Sequence, residues 1–243
     1  MGESQAMNAD RKVSVGDFYL SRYGLTVAQF AAFIGETNYL TDAEQNGYSW
    51  IASDKSPWAW VKETGATWRC DERGRRLSKS DYDRAVVHVT WQDAVEFCSW
   101  LSEKTGKFYR LPSESEWEFA ARGGVRDSGY MYSGSDDVEE VAWFGGNSND
   151  SNSGGRVHRV GELKPNEIGL YDMSGNVWEW CSDYYASHPS GVSAEPKVRS
   201  GDNFVIRGGG WNIGRERCRS VERNDNPARE GGSHLGIRIA AAP

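Results

Sequence analysis

The sequence lacks the features that mark several classes of protein. Its 243 residues contain no run of about 18 uncharged apolar residues, so a membrane-spanning helix is not expected. It has 4 cysteines, too few for a disulfide-built scaffold, and none of them forms a C-x-x-C pair. Lysine and arginine number 28 against 35 acidic residues, giving a net charge of −7. That balance argues against a protein that binds nucleic acid through phosphate contacts.

The start of the chain carries no targeting signal that we can identify. The segment from Met1 to Asp10 is small and polar and has neither a basic region nor an apolar region, unlike an intact signal peptide. A trimmed precursor and a cytoplasmic origin both remain compatible with these residues. We expect a disordered or vector-derived start over residues 1–12 and a single domain over residues 13–243.

Aromatic residues and glycine are abundant. The chain has 11 tryptophans, 12% aromatic residues and 28 glycines. A compact chain of this length buries roughly 70–75% of the surface that its unfolded form exposes. The composition therefore excludes intrinsic disorder and predicts a sizeable core.

Helix-start signals occur at three places. Thr26 and Ser113 are each followed three residues later by Gln or Glu, the pattern of a capping box, and Thr90 precedes a third run with helical periodicity. We expect the helix after Thr90 to end at Gly106 and the helix after Ser113 to end at Gly123 and Gly124, since glycine accommodates left-handed backbone.

The rest of the chain predicts short strands and long connections. The strands are expected at Val13–Leu20, Ala85–Val89, Gly169–Met173, Asn176–Trp180, Asn203–Arg207 and Leu235–Ala240. The segments 42–82 and 128–157 are rich in Gly, Ser, Asp and Trp, which favours ordered loops attached to a core. The fold class is α+β, with few helices, small twisted antiparallel sheets and much irregular structure.

Cysteine and histidine give weak functional signals. None of the four histidines has a second His or Cys at metal-ligand spacing, so no zinc site is expected. Cys98 lies on the apolar face of a predicted helix, whereas Cys218 stands between Arg217 and Arg219. Neighbouring cations lower the pKa of a thiol, so Cys218 is the best candidate for a reactive cysteine, although an inert thiol is the simpler interpretation. The disulfide state of Cys70, Cys98, Cys181 and Cys218 is left open.

Several hard oxygen donors fall in one short stretch. Asn176 and Glu179 lie close to Asp172 and Asp183, and calcium prefers such oxygens. A structural calcium held by Asn176 and Glu179 is one interpretation. The other is that these side chains hydrogen-bond a tight loop. No cofactor is otherwise required.

The C-terminal segment 207–238 has a different character. It contains seven arginines, several asparagines and few apolar residues. Such a segment cannot form a core face by itself, and we expect it to lie over one. A recognition surface, where polar contacts surround a few anchors, and a solvated terminal loop both fit this composition.

Four stretches together resemble one family. Residues 109–124 read YRLPSESEWEFAARGG and residues 165–180 read PNEIGLYDMSGNVWEW, and both are similar to specific motifs of the formylglycine-generating-enzyme (sulfatase-modifying factor) superfamily. Residues 18–30 resemble the opening motif of that family, and RGGGW at 207–211 with GIR at 236–238 resembles its ending. The resemblance implies a C-type-lectin fold of the formylglycine-generating-enzyme type.

The same resemblance bears on catalysis. The enzymatic members use a copper-binding, oxygen-using pair of cysteines between the last two motifs, and this chain has only Cys218 there, with Arg215 at the second position. The resemblance therefore implies that the chain is not an enzyme and has no catalytic residues. A formylglycine-generating-type oxidase or related enzyme is the alternative. A calcium-stabilised, carbohydrate-binding lectin-like domain is another.

One branch of the superfamily resembles the C-terminal segment 207–238, which we call the tail, more closely. Residues 211–227, WNIGRERCRSVERNDNP, look like the variable region of diversity-generating-retroelement proteins, such as the variable proteins of treponemes. This implies a massively variable, solvent-exposed recognition surface over about 207–238. Its ligand-binding positions would be Ile213, Gly214, Arg217, Glu222, Asn224, Asp225, Gly231, Gly232, Ser233 and His234, held by a scaffold of Trp211, Arg219 and Arg223.

The predicted function is therefore non-enzymatic binding of an unidentified protein or carbohydrate ligand. By the same resemblance the protein is expected at the cell surface or secreted, as a monomer, without a nucleic-acid partner. The hypothesis requires the variable side chains to share one exposed face.

Overall fold

A computed structural model describes residues 15–53, 56–150, 154–186 and 203–243. The start expected over residues 1–12 and the first residues of the strand expected at Val13–Leu20 lie outside this part of the chain. All four cysteines are described, and each is a free, buried thiol.

The helices begin at the predicted caps. Thr26, Thr90 and Ser113 each accept a hydrogen bond from the backbone N–H three residues later, which confirms the three starts. Gly106 adopts a left-handed φ of 70° and ends the second of these helices, as expected. Over the described ranges the α-helices are α1 (Val27–Thr37), α2 (Asp42–Asn46), α3 (Trp91–Thr105), α4 (Glu114–Ala121) and α5 (Val138–Val141).

The strands are short. They are β1 (Tyr19–Leu20), β2 (Tyr48–Ser53), β3 (Ser56–Thr64), β4 (Tyr109–Arg110), β5 (Ala142–Trp143), β6 (Asn149–Asp150), β7 (Gly154–Gly155), β8 (Ser174–Gly175), β9 (Trp178–Tyr184), β10 (Asn203–Arg207), β11 (Arg223–Pro227), β12 (Leu235–Gly236) and β13 (Ala240–Ala241). This mixture of few helices and small sheets confirms the predicted fold class.

The central sheet places the tail at the middle of the molecule. Its order is β11-β10-β9-β12, with β10 antiparallel to both β9 and β11 and β12 parallel to β9. A three-stranded sheet, β1-β13-β4, joins the first and last described strands. Strands β2 and β3 form a separate antiparallel hairpin.

Two of the expected strands are absent, and one expected loop is structured. The segments Ala85–Val89 and Gly169–Met173 do not form strands. The N–H groups of Val86 and His88 bond instead to single carbonyls of distant segments. Segment 42–82, expected to be a loop, contains α2 and the β2–β3 hairpin. The reason is that period-two patterning in short runs does not show whether a partner strand is present.

The core combines aromatic packing with buried charge. Phe30, Phe33 and Phe97 bring α1 and α3 together, with ring centroids 5.4 to 6.1 Å apart. Arg238 is fully buried and binds both carboxylate oxygens of Glu179 at 2.8 and 3.0 Å. The tail therefore contributes directly to the core, contrary to the expectation that it lies over one.

None of the helices in the described ranges is both long and apolar enough to cross a membrane.

Candidate functional site: a pocket lined by tryptophans

A pocket of about 400 Å³ opens where the tail passes the β2–β3 hairpin and the central sheet. Three tryptophans line it, Trp50 and Trp60 from the hairpin and Trp178 from β9. The tail supplies the other lining residues, which are Asn212, Ile213, Arg217, Asn224, Asp225, Asn226, Glu230, Gly231, His234 and Leu235. We call this space the tryptophan pocket.

Hydrogen bonds fix the hairpin against the tail. The backbone N–H of Ser233 donates to the carbonyl of Trp50 at 2.8 Å, and the Trp50 N–H donates to the carbonyl of Gly231 at 3.3 Å. The hydroxyl of Ser49 donates to the same Gly231 carbonyl at 3.0 Å and lies 3.0 Å from Nδ1 of the buried His88. One wall of the pocket is thereby built from two segments that are far apart in sequence.

His234 is a neutral side chain in this wall. Its ring lies on that of Trp60, with centroids 4.0 Å apart. Burial, with a smaller contribution from His88, lowers the pKa of His234 from 6.5 to about 3. The imidazole is therefore uncharged at neutral pH and adds no positive charge to the pocket.

Several buried polar atoms of the lining have no partner within the described part of the chain. They are Nε1 of Trp50, both amide atoms of Asn212 and Nδ1 of His234. A buried polar atom left without a hydrogen bond costs on the order of 1–3 kcal/mol, so native proteins satisfy nearly all of them. These atoms have almost no accessible surface, so they lie within the packed wall of the pocket and do not open onto it.

The charged residues of the lining differ in their pairing. Arg217 lies 3.6 Å from a carboxylate oxygen of Glu222, outside the pocket lining. Asp225 accepts a hydrogen bond from the amide of Asn203 at 2.5 Å. Glu230 is exposed, and its carboxylate has no ion-pair partner among the described residues. The lining thus holds Asp225 and Glu230 against Arg217, and the ammonium of Lys62 lies beside it, 5.3 Å from the ring centroid of Trp50.

Cys218 lies beside this pocket but does not line it. Its side chain is fully buried under Gly209, and burial raises the pKa of its thiol to about 12. The neighbouring Arg217 and Arg219 do not lower that pKa because both pair with Glu222. A protonated, buried thiol is a poor nucleophile, so the structure does not support Cys218 as a reactive cysteine.

The residues present do not fit a copper-binding thiol pair. Cys218 is the sole cysteine of its segment, and the other three cysteines are buried as free thiols elsewhere. Over the described ranges no group of three or more His, Cys, Asp or Glu residues is arranged to hold a metal ion.

The structure separates the ten predicted ligand-binding positions into two groups. Six of them line the pocket: Ile213, Arg217, Asn224, Asp225, Gly231 and His234. The other four do not: Gly214, Glu222, Gly232 and Ser233.

Several of these positions are not the exposed, replaceable sites that the variable-surface hypothesis requires. Ser233 is fully buried, and Ile213 belongs to the main hydrophobic cluster. A Cβ on Gly231 would lie 3.1 Å from backbone carbons of His88 and Val89. A Cβ on Gly232 would lie 2.9 Å from the ring of His234. The expectation of a wholly solvent-exposed surface is wrong because these residues hold the hairpin against the tail.

The predicted scaffold residues make structural contacts. Nε1 of Trp211 donates to the carbonyl of Ser233 at 2.9 Å. Arg223 pairs with Glu114, and Arg219 pairs with Glu222. The Arg223 pair attaches the tail to α4, and Nε of Arg219 also donates to the carbonyl of Glu216 in the 3-10 turn Arg215–Cys218 at 3.0 Å.

The two residues predicted to bind calcium have other partners. Oδ1 of Asn176 accepts the backbone N–H of His158 at 2.9 Å, and Asn176 has a left-handed φ of 63°. Glu179 binds Arg238 and also accepts Nε1 of Trp117 at 2.7 Å. These contacts match the alternative interpretation, a hydrogen-bonded tight loop. Calcium binding by Asn176 and Glu179 stays a prediction.

The tryptophans of the pocket were not predicted from the sequence. Trp50 and Trp60 fell in a segment expected to be a loop, although both YSWIAS and SPWAWVKET are rich in aromatic and β-branched residues. That composition is the signal that predicts strands. Asn212, Asn226 and Glu230 carried no signal that distinguished them from other polar residues of the tail.

Comparisons with known proteins identify the family. The model of the sulfatase-modifying factor enzyme 1-like domain matches residues 1–243. The formylglycine-generating enzyme of Thermomonospora curvata is 32% identical over 96% of this chain and 84% of its own length. The inactive C-alpha-formylglycine-generating enzyme 2 of Bos taurus is 29% identical over 95% of this chain and 79% of its own length. The structure of Treponema denticola variable protein 1 is 30% identical over 69% of this chain and 74% of that protein, with a TM-score of 0.61.

These findings correct the predicted function. Relatives of bacterial and mammalian origin that cover nearly the whole chain carry the name formylglycine-generating enzyme. Two predictions are therefore wrong: that the protein binds a ligand without catalysing a reaction, and that it is not an enzyme. The absence of one cysteine was given too much weight against motifs that span the chain. The likeness to a treponemal variable protein supports the fold but not a retroelement-encoded variable region. The chain belongs to the family of sulfatase-modifying factor enzyme 1-like domains.

Proposed function

We propose that this chain is an enzyme related to the formylglycine-generating enzymes and that it binds its substrate in the tryptophan pocket. The family and the extent of the match support an enzyme, since the Thermomonospora curvata relative is matched over 84% of its length. The proposed substrate is a peptide cysteine, whose CH2–SH group becomes the formylglycine aldehyde: the C–S bond breaks and the sulfur leaves as sulfide, dioxygen is the oxidant and is reduced to the aldehyde oxygen and water, and an external thiol supplies the remaining two electrons.

One observation carries the choice of site. A pocket of about 400 Å³ lies where the C-terminal segment that resembles the family's ending meets the β2–β3 hairpin. A site that binds a substrate holds a few polar groups inside an otherwise apolar cleft. Here three tryptophans form the cleft, and the polar side chains of Asn224, Asp225 and Glu230 are among its lining residues.

The pocket residues have distinct roles in this proposal. The tryptophan rings exclude water, and Asn212, a residue of the lining, positions the substrate peptide through the shape of the pocket wall. Glu230 is the carboxylate that accepts a proton from the substrate, because it is not neutralised by a cation among the described residues. The chemistry differs from a two-thiol scheme, since Cys218 is buried outside the pocket.

The proposal is tested by incubating the full chain with cysteine-containing peptides under oxygen. Aldehyde formation is followed by hydrazide capture and by mass spectrometry of the peptide. We expect aldehyde to form and Asn212→Ala to slow its formation by about tenfold, the effect of losing about 1.4 kcal/mol of substrate positioning by the pocket wall.

Asn46→Ala, at the exposed end of α2, is the matched control and is expected to leave the rate unchanged. Truncating Asn212 removes no hydrogen bond made within the described residues, so the variant is expected to fold. No aldehyde from any peptide, or the same rate in Asn212→Ala as in the control, contradicts the proposal.

A further inference from the structure

We infer that the substrate peptide binds as an extended strand and pairs with the edge of β11 that no described strand covers. This inference rests on the proposed function in taking the substrate to be a peptide. It goes further by naming the part of the substrate that is recognised, its backbone, and the element that recognises it. Three observations support it: the place of β11 in its sheet, its position along the pocket and its unpaired backbone groups.

Strand β11 lies at the edge of the central sheet. The order β11-β10-β9-β12 gives it a single neighbour, and all five of its residues, Arg223–Pro227, have partners in β10. Over the described ranges no other strand pairs with it. The opposite edge of the sheet differs, because both residues of β12 are buried. An uncovered edge presents a row of N–H and C=O groups to which an extended chain can add.

The pocket reaches this edge. Three successive residues of β11, Asn224, Asp225 and Asn226, line it. Successive side chains of a strand point to opposite faces of the sheet, so a space that lies over one face alone is bordered by alternate side chains. A space bordered by all three residues therefore extends to the edge between the two faces.

The backbone of β11 has groups that β10 does not use. In an antiparallel ladder, residues that bond to the neighbouring strand alternate with residues whose N–H and C=O point away from it. Among the described residues, no backbone group from outside the sheet bonds to the backbone of Asn224, Asp225 or Asn226. Asn224 is exposed and the other two are partly exposed. Every second residue of β11 thus offers one donor and one acceptor to an incoming strand.

The tryptophans of the pocket complete this mode of recognition. In strand addition, main-chain hydrogen bonds supply affinity, and apolar pockets beside the edge accept alternate side chains. Trp50, Trp60 and Trp178 provide such apolar surface in the same pocket as the edge of β11. The edge favours a peptide over other ligands, because only a peptide has N–H and C=O groups at the spacing of a strand.

Backbone methylation of a bound peptide tests the inference. The probe is a fluorescein-labelled nonapeptide of alternating threonine and valine, with a central serine and a lysine at each end. It contains no cysteine, so the proposed reaction cannot consume it. Because main-chain pairing depends little on side chains, we expect this generic peptide to bind the full chain, as measured by fluorescence anisotropy.

Two matched peptides carry equal numbers of N-methyl groups, one at odd-numbered and the other at even-numbered positions. We expect one of them to bind like the parent and the other at least about tenfold more weakly, because its methyl groups replace the N–H donors of the ladder. A parent peptide that does not bind, or two methylated peptides of equal affinity, overturns the inference.

Amide exchange of the nitrogen-15-labelled chain, followed by NMR, locates the binding. We expect the parent peptide to slow the exchange of alternate amides of β11. Strand β1 is the internal control, since it is also an edge strand but does not line the pocket, and its exchange should not change. No protected amide in β11, or equal protection of β1 and β11, contradicts pairing at the pocket.

The results also separate this inference from the proposed function. If a cysteine peptide yields aldehyde but the two methylated peptides bind equally, strand pairing is wrong and the proposed function stands. If alternate methylation controls binding but no cysteine peptide yields aldehyde, the proposed reaction is wrong and the peptide site at β11 stands.

Discussion

At the scale of single residues, the ion pair between Arg238 and Glu179 is important for the stability of the fold. Both side chains are almost completely buried, at 0% and 1% exposure. Arg238 also donates to the carbonyls of Ser21 and Tyr171, each at 2.7 Å. The pair thus connects the final motif of the chain to β9 and to the segment before α1. Its charge is satisfied only when every partner is present.

Replacing Glu179 by glutamine is therefore expected to destabilise the fold by about 3–5 kcal/mol, because the buried Arg238 charge loses its counter-ion. Urea unfolding followed by circular dichroism measures the loss. Asp83→Asn is the matched control. It removes one carboxylate from a pair with Arg159 that is about half exposed, at 51% and 54%, and should cost less than about 1 kcal/mol. Similar losses in the two variants would contradict a special role for the buried pair.

Gly231 gives a second test at this scale. A methyl group there would lie 3.1 Å from backbone carbons of His88 and Val89, so the tail or the loop must shift. We expect Gly231→Ala to destabilise the protein by about 1–3 kcal/mol, the usual cost of overpacking.

Gly35→Ala is the corresponding control. Gly35 lies in the last part of α1, where an added methyl meets nothing within 4 Å, so alanine should stabilise the helix by up to about 1 kcal/mol. Thermal unfolding of both variants distinguishes the two directions. A Gly231→Ala variant as stable as the original chain would restore Gly231 as a freely replaceable position.

At the scale of elements, the N-terminus of α3 carries a buried carboxylate. Asp93 accepts N–H groups from Thr90 and Asp42 and the hydroxyl of Tyr39. Burial raises the pKa of Asp93 from 3.8 to about 6, although these hydrogen bonds oppose the shift. The nearby negative charge of Asp42 raises it further.

The raised pKa of Asp93 determines the direction in which stability changes with pH. Because the folded pKa lies above the unfolded value, the folded state binds more protons between about pH 4 and pH 6. The contribution of Asp93 to stability is therefore most favourable at low pH and is lost as the pH rises through about 6. We expect the stability difference between the original chain and Asp93→Asn to fall by about 2 kcal/mol from pH 4 to pH 7. Urea titrations across this range measure it, and a difference that is flat or rises with pH contradicts the prediction.

The elements also show what the sequence can reveal. Capping residues act within one turn, so the starts at Thr26, Thr90 and Ser113 were predictable from local spacing. Short strands depend on partners elsewhere in the chain. The expected strand Asn203–Arg207 is present, whereas Ala85–Val89 makes isolated hydrogen bonds to separate segments. The sequence of Ala85–Val89 does not reveal whether a continuous strand from elsewhere in the chain lies beside it.

The candidate site was predictable only in part for the same reason. The tail residues Asn224, Asp225 and His234 were identified by composition and by resemblance. Their partners Trp50 and Trp60 lie more than 150 positions earlier in the chain. The bridge between Trp50 and Gly232 that joins the two segments is a tertiary contact without a local signal. Resemblance identified the family, but the weight placed on one cysteine led to the wrong functional class.

At the scale of the whole molecule, the segments that form the pocket depend on one cooperative core. The central sheet joins β9 and β10 to strands of the tail, and the tail in turn anchors the β2–β3 hairpin. The pocket therefore exists only in the globally folded chain. A probe that reports global unfolding should follow the loss of the pocket.

The four cysteines provide such a probe. All are free and buried, at 6% exposure or less, and burial raises the pKa of Cys98 and of Cys218 to about 12 and also raises that of Cys181. We expect fewer than one of the four thiols to react with an aromatic disulfide reagent in the native protein at pH 8. We expect all four to react together in denaturant, with a midpoint equal to that of tyrosine and tryptophan fluorescence, because exposure requires global unfolding.

Cys218→Ser should lower the final count of reactive thiols to three without changing the native rate of peptide conversion. If one native thiol is labelled rapidly and this fast labelling is lost in Cys218→Ser, Cys218 is accessible and reactive. Thiol chemistry like that of the family would then apply to this chain.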